Sequence, residues 1–231
     1  VKTIIQQDFA AADGNGYIVL PPQVLHAGNY GVPESRERII FIGVRMDALR
    51  PEALEALTKE NIPAQYNPYP TPTHNATVHD DTLLPIVTTR DVLGKLPEPD
   101  NTLDLAQSTY SKARYMNHGQ GQTEIKLDGL GPTIRSEHHG NIEFRRLSKE
   151  HGGKYIDELN SGKIERRLTP RECALIQTFP PDYPFIIKGQ KRGGGLSSSG
   201  AYKIIGNAVP PVLAYRIARR LEEIWPLYFE L

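Results

Sequence analysis

The stretch that most constrains this chain runs from Glu165 to Pro180, ERRLTPRECALIQTFP, because it carries its own start and stop signals. Thr169 is placed to cap the first free N–H groups of a helix. Pro170 presets φ at the first helical position, and Glu172 lies where a capping box needs a carboxylate. Phe179-Pro180-Pro181 ends the segment, so the pattern predicts a helix of barely three turns. Arg166 and Arg167 stand just ahead of it. A short helix held at both ends acts chiefly to position its neighbours.

Upstream, Tyr17–Leu20 and Ile39–Val44 are β-branched and aromatic-rich runs separated by the turn material of residues 28–33, and they predict two strands. Ile4, Ile5 and Phe9 form the short apolar face of a preceding helix. Two strands cannot bury both of their faces, so they are read as the edge of a larger sheet. Arg36 and Arg38 lie two apart at the entry to the second run, which in extended chain puts both guanidiniums on one side. From the residues alone, ion pairs with Glu34 and Glu37 are the plainer reading.

Residues 46–60 predict a surface helix with Ala53, Leu54 and Leu57 inward, and a small helix is expected to start at Thr89 or Asp91 and stop at Gly94. Between them, Pro63, Pro68, Pro70 and Pro72 predict a stiff extended connector; a ligand for an aromatic groove is the lesser reading. Residues 111–160 read as short strands joined by tight turns. Arg135, Glu137, His138, His139, Asn141 and Arg145 there supply donors and acceptors suited to base edges, although the histidine pair could equally satisfy a turn. Zinc is disfavoured because the chain has one cysteine and no spaced second ligand pair. Residues 188–203, KGQKRGGGLSSSGAYK, read either as a linker or as a phosphate-contacting loop through Lys191 and Arg192. At the end, Leu213, Ile217, Leu221, Ile224 and Tyr228 recur at helical spacing opposite Arg216, Arg219 and Arg220.

The net charge of zero conceals an asymmetry that bears on partners. Residues 1–100 hold 8 Lys+Arg against 13 Asp+Glu, and residues 101–231 hold 19 against 14, so the second part is the nucleic-acid candidate. There is no apolar run of membrane-span length and no signal-peptide layout at the start, which makes a cytoplasmic location the default.

Three stretches, in order, resemble one family. Arg167 to Pro180 is similar to the ninth conserved motif of the cytosine-5 DNA methyltransferases, Asn29 to Arg45 (NYGVPESRERIIFIGVR) to the eighth, and Tyr202 to Pro211 (YKIIGNAVPP) to the tenth. The phrases at 70–75, 87–97 and 131–146 look like those that flank and enter the family's target-recognition region, with Thr133-Ile134 as its marker pair. One departure is Glu34, where the family usually has Gln.

The resemblance implies an α/β fold: the edge of an S-adenosylmethionine-dependent, Rossmann-like methyltransferase sheet, plus a smaller, mostly β target-recognition domain. The expected division is 1–48 for the sheet edge, 49–203 for the recognition domain with its connector, and 204–231 for a closing helix that returns to the sheet. Arg38 would donate to the O2 of a flipped cytosine, and Arg36 would hold the neighbouring phosphate or sit by the nucleophile. Asn207, Ala208 and Val209 would lie beside the S-adenosylmethionine. Thr133, Ile134, Arg135, Glu137, His138, His139, Asn141, Arg145, Lys191 and Arg192 would meet double-stranded DNA, and Arg171 and Glu172 would organise the ninth-motif helix.

The family's Phe-x-Gly-x-Gly loop, Pro-Cys-Gln nucleophile and Glu-Asn-Val segment do not occur here; the one cysteine is Cys173. The chain therefore looks like the C-terminal part of such an enzyme, inactive without an N-terminal catalytic half. A stand-alone DNA-binding specificity subunit is the competing expectation.

Overall fold

The computed structural model describes residues 2–12, 16–78, 80–136, 142–185 and 196–230. Its first elements are α1 (Lys2–Ala11), β1 (Tyr17–Val19), β2 (Gln23–His26), β3 (Glu37–Ile40), β4 (Gly43–Arg45) and α2 (Pro51–Leu57). There follow α3 (Thr89–Leu93), α4 (Leu105–Ser108), β5 (Phe144–Arg146), α5 (Ile156–Asn160), β6 (Arg166–Arg167), α6 (Pro170–Ile176), α7 (Ser198–Asn207) and α8 (Pro211–Tyr228). They group into two compact units. One holds Val1–His26, Glu37–Pro72 and Leu213–Leu231, and the other Ala27–Arg36 and Thr73–Val212.

In the first unit four short strands stand where two were expected: the run 39–44 is divided between β3 and β4, and β2 lies outside both expected strands. β1 pairs with β4 and β2 with β3, both antiparallel, and the registers Tyr17↔Arg45 and Gln23↔Ile40 differ by one residue across the break. The cause is Pro21-Pro22, which carries no N–H to donate to a ladder, so the facing run Ile39–Val44 cannot stay paired along its length. Leu20 N–H to Ile42 O, 3.0 Å, is the bond that bridges the two halves. The core of this unit joins Leu20 and Val44 of the hairpin to Ala53 and Leu57 of α2 and to Ile224 and Tyr228 of α8. Helix α8 therefore packs on the hairpin. It also pins the proline-rich connector: Arg220 donates to Asn67 O (2.8 Å) and Ala64 O (2.7 Å), and Tyr66 stacks on Tyr228 at 6.5 Å.

The second unit is built round α6. Leu168, Cys173, Ala174 and Ile176 are fully buried among Leu93 of α3, Ala106 of α4, Ile125, Ile134 and Ile142, and Ala201, Tyr202 and Ile205 of α7. A mostly β recognition domain is not what residues 49–203 show: the described part contains α2 to α6, most of α7, and only the short pair β5–β6. Much of it is irregular chain held by backbone bonds in turns and caps, with buried Arg36 and Arg167 serving several of its carbonyls. Residues 198–203, read from sequence as loop, are helical. Ser197 caps them by accepting the Gly200 N–H, a serine signal hidden in a glycine- and serine-rich run.

No described helix is long and apolar enough to cross a membrane.

Candidate functional site

The capping signals read in the sequence appear in full on α6. Thr169 Oγ1 accepts from Glu172 N–H at 3.0 Å, while Glu172 Oε2 accepts from Thr169 N–H at 2.9 Å. The same carboxylate is held at both oxygens by Arg166, 2.8 Å each, and Arg171 Nε binds Asp104 Oδ2 at 2.6 Å. Helix α6 has two turns rather than three. It stops at Gln177, followed by Thr178 at φ 65°, a conformation costly for a β-branched residue; the Thr178 hydroxyl oxygen accepts from Val212 N–H at 3.1 Å. Cys173 is wholly buried on this helix. Desolvation, with Glu172 nearby, pushes its thiol well above the ordinary range, so it is no nucleophile.

Behind α6 lies a network of buried ions. Arg166 also binds Glu98 (3.0 Å), and Arg146 binds Glu98 (2.9 Å) and Glu158. Burial raises the Glu98 carboxyl, but the two guanidiniums outweigh it and hold the pKa at about 2. A folded-state value below the unfolded one contributes stability that is present above the ordinary carboxylate range and lost as the pH falls through about 2. The urea midpoint is therefore expected to fall between about pH 4.5 and pH 2, and Glu98→Gln to flatten that part of the acid limb. A pH profile unchanged by Glu98→Gln would show that this carboxylate does not carry the effect.

Two distant segments meet the turn that carries Arg36. Its Nη1 donates to Ile134 O at 2.8 Å, its Nη2 to Gly206 O at 2.8 Å and to Ala208 O at 3.0 Å, and Glu34 lies 3.4 Å away. Glu34 Oε1 also accepts the Ile134 N–H at 2.6 Å, and Thr133 Oγ1 donates to Ser35 O at 2.5 Å. The two carbonyls at 206 and 208 belong to the end of α7, where carbonyl groups lack helical partners and the dipole favours a cation. Gly206 is needed here, since a Cβ would come within 2.1 Å of the Arg135 backbone. The eighth-motif turn, the Thr133-Ile134 pair and the corner 206–208 are thus brought to one point.

The individual site residues divide by exposure. Arg36 is 1% exposed and Ile134 0%, so both act from inside. Arg38 is half-buried, its guanidinium bound among the described residues by the neighbouring Glu37 carbonyl at 2.6 Å. Arg135 is partly exposed and paired with Glu143 (2.7 Å), whose carboxyl burial raises; Arg145 is buried against Glu158 (3.1 Å). Asn207 and Val209 are exposed and Ala208 half-buried on the corner that Arg36 holds. Glu137, His138, His139, Asn141, Lys191 and Arg192 lie outside the described residues.

The family profile described as C-5 cytosine-specific DNA methylase matches residues 2–223, and the chain belongs to that family. Its similar curated relatives include the type II methyltransferases M.BsuRI of Bacillus subtilis and M.BspRI of Lysinibacillus sphaericus. Each is 32% identical, over 93% and 95% of this chain and 43% and 46% of the relative. M.MthTI of Methanothermobacter thermautotrophicus is 29% identical over 87% of this chain and 55% of its own length. The chain spans about half the length of these relatives. A solved structure described as a DNA modification methyltransferase encoded within a prophage (E. coli) is similar in fold, with a TM-score of 0.52 at 17% identity, covering 97% of this chain and 65% of that one.

Proposed function

We propose that this chain is the target-recognition and C-terminal part of a DNA (cytosine-5-)-methyltransferase of a restriction-modification system, which transfers a methyl group from S-adenosylmethionine to a cytosine flipped out of a specific duplex sequence. The observation that carries the reading is the convergence on Arg36. One buried guanidinium from the stretch the family uses for base holding binds the two it uses for recognition and cofactor contact. Family membership and the type II names of the relatives support the reaction class.

In this reading residues 1–48 and 204–231 complete the catalytic domain, and 49–203 carry recognition of double-stranded DNA. When bound, S-adenosylmethionine supplies the electrophilic methyl group, and Asn207, Ala208 and Val209 would hold one side of it. Arg38 donates to the edge of the extruded base, keeping it seated while its ring is attacked. Arg36 does not touch the reactants; it fixes the turn, the recognition pair and the corner relative to one another. The nucleophilic thiolate comes from a segment that carries the Pro-Cys-Gln motif, because Cys173 is sealed in the core. That segment is the N-terminal catalytic half, on the same polypeptide or a second one.

The test is incorporation of labelled methyl into duplex DNA. The isolated chain is expected to show none, and activity is expected on mixing with, or fusion to, a cognate catalytic half. Transfer by the chain alone would overturn the assignment of the nucleophile. Specific DNA binding that no catalytic half converts into methylation would favour a stand-alone specificity subunit.

A further inference from the structure

The loop formed by residues 115–121 was not singled out from sequence, yet it is an exposed turn gripped at its neck by a buried arginine. Its root is Arg167, itself 1% exposed. Nε donates to Ala113 O (3.1 Å), Nη2 to Arg114 O (3.2 Å) and Gln122 Oε1 (3.2 Å), and Nη1 to Gly121 O (2.5 Å). Gln122 closes the neck a second time by accepting the Met116 N–H at 2.9 Å. Tyr115 fixes the incoming side: its ring stacks on His151 at 4.2 Å and 18°, and it lies 6.0 Å from Phe144. His151 is itself oriented by Glu165 at 2.7 Å.

Above this root every residue from Met116 to Gln120 is exposed, Met116 by 62%. Gly119 at φ 126° and Gly121 at φ 71° give a tight reversal that other residues rarely adopt. The chemistry of the tip is specific. Asn117 and Gln120 offer paired amide donors and acceptors, His118 lies between them, and exposed Lys112 and Arg114 lead in. Residues 105–123 contain no Asp or Glu, so nothing on the loop repels a phosphate. The same Arg167 Nη1 donates to Ile142 O at 2.5 Å, so the loop and the chain re-entering at Ile142, after the expected recognition stretch, are tied to one guanidinium.

We propose that loop 115–121 is a second base-reading element of this protein. Asn117 and Gln120 contact base edges in the major groove, and Lys112 and Arg114 contact the flanking phosphates. A carboxamide pairs bidentately with adenine, and a rigid root is what allows a short side chain to discriminate rather than merely touch. The inference rests on the proposed DNA-binding role.

The experiment is selection from a randomised duplex pool, followed by competition binding, with the wild-type chain and single alanine variants at the exposed positions. Asn117→Ala and Gln120→Ala are each expected to relax preference at one base pair, by roughly 5- to 100-fold, with non-cognate affinity unchanged. Lys112→Ala and Arg114→Ala are expected to weaken all sequences alike and to reduce the salt slope by about one. A wild-type chain that selects a sequence, with Asn117→Ala and Gln120→Ala selecting it equally well, overturns the proposal and leaves the DNA-binding role standing. A wild-type chain without sequence preference overturns both.

Discussion

Arg36→Ala is expected to destabilise the second unit by roughly 3–5 kcal/mol, the range for breaking a buried ion pair from one side. Glu34, 0% exposed, would lose its cation, and the carbonyls of Ile134, Gly206 and Ala208 would lose a donor, the first two in buried surroundings. With a urea slope of about 1–3 kcal/mol/M, the midpoint should drop by about 1 M or more. Lysine should not rescue it, because one ammonium cannot reproduce the flat fork that serves Ile134 on one nitrogen and α7 on the other. Arg36→Met combined with Glu34→Gln should lose less than Arg36→Ala, since no charge is stranded. The reading of Arg36 as a phosphate contact makes the opposite forecast: near-neutral stability and weakened DNA binding. A midpoint within experimental error of wild type would therefore sink the buried-hub account.

The contrast between α6 and this hub shows which physics is visible in a sequence. Helix caps are local, so Thr169, Pro170 and Glu172 announced α6 within four residues, and Gly94 marked the end of α3, whose cap, Thr88, lies one residue before the earlier of its two expected starts. The apolar stripe of α8 was equally legible, because helical periodicity survives whatever the helix packs against. The Arg36–Glu34 ion pair was read from the residues, but the carbonyls that Arg36 also holds were not, for the complementary reason. Spacing of two says that Arg36 and Arg38 share a side only while the chain stays extended, and β3 begins one residue later, at Glu37. What decides Arg36's environment is a helix end 170 residues downstream and a carbonyl 98 residues downstream. The same holds for loop 115–121. Its tip looks like ordinary polar turn until Arg167, 46 residues past Gly121, is seen gripping its neck. Long-range side-chain-to-carbonyl bonds leave no periodic trace, and this fold uses them where a β domain would use ladders. The division of the hairpin at Pro21-Pro22 was, by contrast, available in the sequence, through the missing N–H groups.

Arg38 carries the largest expected effect on activity. Its guanidinium is half-buried and is held among the described residues only by the adjacent Glu37 carbonyl, a weak local contact that a ligand can replace. It is absent from the described core of the first unit, so Arg38→Ala should leave the urea midpoint close to wild type, in contrast to Arg36→Ala. In the proposed enzyme its partner is the extruded cytosine, and it acts only when the complete pocket exists. Removing it should then leave duplex affinity of the isolated chain nearly unchanged, while lowering turnover of the enzyme completed with a catalytic half by about 100-fold or more, the size expected when a preorganised donor is lost. A phosphate contact behaves differently: duplex affinity would fall and the salt slope would shrink by about one, with turnover at saturating DNA preserved. A surface ion pair would move neither quantity. The deciding measurement is paired, binding by the isolated chain and methylation by the completed enzyme, and full methylation activity in the Arg38→Ala protein would remove Arg38 from the base pocket.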